Sequence, residues 1–124
     1  MSRSLTAVQY FKDRIQLILM APESQFDPDA IVEMLFLARD QMLEMYENGH
    51  PHLTKVNADV LHGAKDLAVE VTMRTHEALT DARGASALPE PIRAYLGGAR
   101  LALCELQERL REERDRALML RCFQ

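Results

Sequence analysis

Proline and glycine cut this sequence into four stretches, and within each the apolar residues recur at helical spacing, with no sustained alternation of the kind a half-buried strand requires. No other feature narrows the fold so far. The connectors are short, which favours antiparallel neighbours, so the expected architecture is all-α: a four-helix antiparallel bundle with long third and fourth helices. At 124 residues, the whole span 1–124 fits a single helical-bundle domain with one core.

The first stretch predicts a helix from about Ser4 to Met20, stopped before Pro22, with Ala7, Val8, Phe11, Ile15, Ile18 and Leu19 on one face. The second is the best marked. Asp27 suits an N-cap, Pro28 the first turn, and Asp29 the positive helix end, while Gly49 offers a left-handed cap before Pro51. Its apolar residues form two seams: Ile31, Leu35, Ala38, Met42 and Met45, and beside them Val32, Phe36 and Leu43. An arc that wide suits a helix lying between two neighbours, or between a neighbour and another subunit.

The third helix is expected to begin between Leu53 and Asn57 and to end at Arg83 before Gly84, with a seam of Val56, Val60, Ala64, Leu67, Val71, Ala78 and Ala82. The fourth opens at Pro89–Pro91 and runs on Ile92, Leu96, Ala99, Leu103, Leu106 and Leu110. Gly97 and Gly98 sit inside it at a cost of about 1 kcal/mol each relative to Ala, as a close helix crossing or a kink would require, and the crossing is favoured. Beyond Leu110 comes a charged shaft, in which i,i+4 pairs Glu105–Arg109 and Glu112–Arg116 are expected, supported by Arg109–Glu113 and Arg111–Asp115. The chain then recovers an apolar tip in Ala117–Leu120, suited to another chain. The third and fourth helices are long enough to project beyond the first two.

Charge excludes one class of partner. Net charge is −4, with four cations against eight anions over residues 1–52 and seven against six over 89–124, so no basic field exists for a phosphate backbone and no nucleic acid is expected. No apolar run reaches the roughly 18 residues that span a bilayer, and the cluster at Ile15–Ala21 lacks the pattern of a signal peptide, so no membrane partner and a cytoplasmic location are expected. Cys104 and Cys122 lie eighteen residues apart on one predicted helix and are expected to be free thiols.

All four histidines fall between His50 and His76. His50 and His52 flank Pro51 in a loop, where an HxH can chelate zinc, nickel or copper, and Glu47 with His50 makes an ExxH that straddles a helix stop. These three are weak metal candidates; no cofactor is expected. His62, with Asp59 three residues before it and Asp66 four after, cannot share an ion with His76, because fourteen residues of helix separate the two by about 21 Å. Measured from Leu67 at 100° per residue, His62, Val69, Met73 and His76 point away from the predicted core as one stripe. The stripe reads as a partner or dimer contact that histidine protonation would weaken.

Signatures of catalysis are missing from the sequence: there is no glycine-rich phosphate loop, GxSxG, CxxC or HExxH, and Tyr46 and Tyr95 read as core residues with a wet hydroxyl. Met34, Met42 and Met45 fill a core or line a groove for an amphipathic helix. The expected function is therefore a non-enzymatic helical protein-interaction module, an adaptor, chaperone or regulatory protein acting as a homodimer. Its contact residues are Val32, Phe36, Leu43, His62, Val69, Met73 and His76, and its protein partner has no signature in the sequence. The alternative is a small-molecule or metal-sensing bundle.

Overall fold

The computed structural model describes residues 2–49, 51 and 53–122, and side chains from residue 5 onward. Four helices account for nearly all of it: α1 (Ser2–Met20), α2 (Pro28–Gly49), α3 (Lys55–Asp81) and α4 (Glu90–Cys122), with one 3₁₀ turn at Glu23–Gln25. There is no strand among the described residues.

Local chemistry sets the helix starts. Asp27 Oδ1 accepts the Ala30 N–H at 3.2 Å, and Thr54 Oγ1 accepts the Asn57 N–H at 3.2 Å, each satisfying a donor that the first turn cannot bond internally. At α4 the Pro89 carbonyl accepts the N–H groups of both Ile92 and Arg93. The stops differ from expectation. Gly49 is the last residue of α2 and has no left-handed φ; the only described residue with positive φ is Gly84, at +86°, in the turn after α3. That helix ends at Asp81, two residues before the expected Arg83, because the chain turns through Ala82–Gly84 first.

The helices touch as a ring, α1 to α2 to α3 to α4 and back to α1, with a narrower contact across the α1–α3 diagonal and, among the described residues, none between α2 and α4. Pairings run in opposite senses along neighbours. Phe36 meets His76 while Tyr46 meets His62, and Arg93 donates to the Leu19 carbonyl at 2.8 Å while Gln107 donates to Gln9 at 2.6 Å.

In α1, Val8, Phe11 and Ile15 are fully buried, with Ala7 and Ile18 nearly so; in α2, Leu35, Ala38 and Met42 form the centre of the expected seam; and in α4 Leu96, Leu103 and Leu110 carry it. Helix α3 departs from expectation. Its buried residues are Asn57, Val60, Leu61, Ala64, Ala68, Val71, Thr72, Thr75 and Leu79, whose mean direction lies about 80° from Leu67 at 100° per residue. Val56 is exposed, and Leu67, Ala78 and Ala82 are only half-buried. The reason is polar: Thr72 hides its hydroxyl by donating to the Ala68 carbonyl at 2.8 Å, so it packs like a valine.

Lengths also resolve unevenly. Helix α3 is buried from Asn57 to Leu79 and does not overhang, whereas α4 has no buried residue after Leu110 and is exposed at every position from Asp115 to Cys122. Its apolar tip, Leu118, Met119 and Leu120, stands 51–62% exposed. Nothing lies within 4 Å of a Cβ built at Gly97 or Gly98, so neither glycine serves a crossing inside the chain.

Candidate functional site

Rotation of α3 moves the histidine stripe from the middle of a free back face to the edge that α3 shares with α2. The His76 ring stands edge-on to Phe36, with centroids 5.9 Å apart and planes at 75°, and the Arg39 guanidinium lies over that phenyl ring, 4.5 Å from its centroid. Ten residues along α2, nearly three turns, the arrangement recurs. Tyr46 meets His62 at 5.4 Å and carries the Lys65 ammonium at 4.9 Å, and Asp66 bridges the two side chains, 3.1 Å from His62 Nε2 and 3.0 Å from Lys65 Nζ. Each end of the edge is thus an aromatic ring of α2 in contact with both a histidine and a cation.

Between the ring contacts lie Leu43 and Val69, both half-buried, and Met73, 44% exposed. Val32 lies one turn beyond Phe36, in an open cleft between Asp29, Val32 and Glu33 on α2 and His76, Leu79 and Arg83 on α3. The edge therefore brings Val32, Phe36 and His76 together directly, and Phe36 with His76 is the pair in ring contact; Leu43, His62, Val69 and Met73 follow along the same two helices. It presents apolar and aromatic area, two imidazoles and paired charges, which suits recognition by surface complementarity. Sequence reading missed Tyr46, Lys65 and Arg39 as parts of this edge. A usable signal existed: rings at positions 36 and 46 of one helix face histidines at 76 and 62 of the next, in reverse order.

Other candidates disperse. His50 and His52 lie outside the described residues, and Glu47 is exposed. Asp59 is also exposed, and His62 pairs with Asp66. Among the described residues no three His, Cys, Asp or Glu side chains converge on a point where an ion could bind. Met42 is core filling at 0% exposure, while Met34 and Met45 are half-buried against the core. Cys104 is half-buried, Cys122 is exposed, and both are free.

Tyr95 corrects the expectation of a wet hydroxyl. Its oxygen is buried without a hydrogen-bond partner, and burial, reinforced by the Glu70 carboxylate, raises its pKa above the usual 10.0 against the opposing pull of Arg74, whose guanidinium lies 5.6 Å over the ring. Such a phenol is held protonated. Away from the edge, the ends of α1, α2 and α4 line a partly open cavity of about 120 Å³. Ile18, Ile31, Met34 and Leu88 supply apolar walls, and Arg93 closes one side, anchored to the Leu19 carbonyl.

No helix among the described residues is long and apolar enough to cross a membrane. Comparison of the chain with protein-family models, with curated proteins and with solved structures returns no match.

Proposed function

We propose that this chain is a non-enzymatic, cytoplasmic protein-interaction module, an adaptor, chaperone or regulatory protein, built as an antiparallel four-helix bundle that works as a homodimer. The α2–α3 edge is the surface that receives the partner. The observation that carries this reading is the pair of ring contacts, Phe36 with His76 and Tyr46 with His62, framing half-buried Val69 and exposed Met73. His62 and His76 are 14 residues apart, about 21 Å of helix, a span suited to four turns of an amphipathic partner helix. The partner is a protein and not a nucleic acid, since the edge places Asp66 beside His62 and Lys65, and Asp29 and Glu33 face Arg83 across the cleft.

The test is capture from the native host with wild type and with Met73→Glu/Val69→Glu. A partner retained by the wild type and lost from the variant, whose circular dichroism and melting are unchanged, is the expected outcome; identical recovery on both would remove the edge from consideration.

The cavity bounded by Ile18, Ile31, Met34, Leu88 and Arg93 supports a second reading, a sensor for a compact apolar molecule. A designed apolar cavity of about 150 Å³ is large enough to admit benzene. Under this reading benzene raises the melting midpoint of the wild type by a few degrees through mass action and leaves Met34→Phe, which fills the space, unmoved. No shift in either protein excludes the sensor.

A further inference from the structure

We infer that two copies of this chain pair through the outer face of α4, antiparallel, about a two-fold axis passing between the levels of Leu110 and Arg111. This rests on the homodimer reading above and gives it a surface and a register. At 100° per residue, Glu105, Arg109, Glu112 and Arg116 form a four-three-four row on the side of α4 opposite buried Leu96, Leu103 and Leu110, and all four are exposed. Read backwards, the row changes sign at every position. Glu105 therefore faces Arg116 of the second copy, and Arg109 faces Glu112 of the second copy, each pair formed twice.

The charges of this row are largely unspent within the chain. None of the expected pairs forms: Arg116 turns to Glu113 at 2.5 Å, Arg111 to Glu108 at 3.5 Å, and Arg114 to Asp115 at 3.3 Å. Among the described residues Glu105, Arg109 and Glu112 form no ion pair. The register also brings Glu108 near Asp115 of the second copy at the rim, and those two are the acids already neutralised within each chain by Arg111 and Arg114.

Two further features find a use in the same register. The tip that overhangs the bundle places Met119 and Leu120 on Leu101 and Ala102 of the second copy; Leu101 is 63% exposed and Met119 is 62% exposed in the single chain. Gly98, exposed and with open space where a Cβ would be, comes under the end of the second copy's α4, where bare backbone allows close approach. The matched segment from Ala102 to Met119 is 18 residues, about 27 Å of helix.

Sedimentation equilibrium on the full chain tests the face. Wild type is expected at twice the 14.1 kDa chain mass. Arg109→Glu and Glu112→Arg should each raise the dimer Kd by about tenfold or more, and the two together should restore it to within about threefold, since the pair re-forms with its signs exchanged. Leu101→Cys/Met119→Cys in a Cys104→Ser/Cys122→Ser background should oxidise to a covalent dimer, as eighteen residues of helix, about 27 Å, prevent closure within one chain. A monomer at every concentration would overturn the dimer and this face together, leaving the α2–α3 edge to its own test. A dimer indifferent to both charge reversals and without the 101–119 cross-link overturns the α4 face alone. Loss of the dimer in Phe36→Glu but in neither α4 variant places it on the α2–α3 edge and equally overturns this face.

Discussion

Phe11→Ala is expected to lower the unfolding free energy by about 3–5 kcal/mol, and with it the melting midpoint by about 10–20 °C, as read by urea titration and thermal circular dichroism. The ring is fully buried in the central cluster, in line with Val8 and Ile15 on α1, and this helix has core contacts on both sides and across the diagonal to α3. Removing it forfeits the transfer of a phenyl ring out of water and leaves a void that backbone-rigid helices close only in part. Leu37→Ala is the control. That side chain is 56% exposed on the outer face of α2, so its loss should stay within about 0.5 kcal/mol. Similar losses in the two variants would contradict the assignment of the core.

Gln107→Ala should cost about 2–4 kcal/mol, a large effect for a polar residue. Gln107 is 2% exposed in the seam between α4 and α1, where its amide donates to Gln9 Oε1 at 2.6 Å and its carbonyl oxygen accepts from Lys12 Nζ at 2.7 Å. Gln9 in turn donates to Asp13 at 2.7 Å, so one buried amide ties together a chain of four side chains. Alanine removes both bonds and opens a hole. Gln107→Leu keeps the volume and loses only the bonds, and since Gln9 and Lys12 are half-buried and can rehydrate, its cost should be near 1 kcal/mol. Equal losses in the alanine and leucine variants would show that the amide's bonds, and not packing, are what the seam needs there.

Helices α1 and α2 are legible because their buried residues are all apolar, and α4 because Gln107 is the one polar residue in its buried seam, so periodicity alone locates all three. Helix α3 is turned by about 60° from its expected facing for a definite reason: three of its nine buried residues, Asn57, Thr72 and Thr75, are polar, and a reading by hydrophobicity turns the helix to bring Leu67 and Ala78 inward instead. Nothing in the sequence announces that Thr72 will bond its own backbone, or that Thr75 Oγ1 and Asn57 Oδ1 will be buried without a hydrogen-bond partner. The error carried through to the candidate site. His62 and His76 were found, but the rings of Tyr46 and Phe36 that hold them depend on the register between α2 and α3, which periodicity within one helix cannot supply. Charge pairs along α4 were legible as a class and not as partners, because i,i+3 and i,i+4 alternatives on an exposed helix differ by only a few tenths of a kcal/mol.

The ring of helices also bears on how the chain reaches its folded state. Three of its four seams join helices that follow one another, so each can form as a local hairpin across a short connector. The fourth seam joins the first helix to the last: Arg93 reaches Leu19 across 74 positions, and Gln107 reaches Gln9 across 98. The loop-closure entropy of the whole domain is concentrated in that single event, which completes the barrel of helices and sets the register of α4. It is also the seam with the buried amide, where a slipped pairing would strand Gln107 among apolar neighbours. Polar bonding at the longest-range contact thus makes a misregistered closure costly, and α4 meets α1 in one alignment.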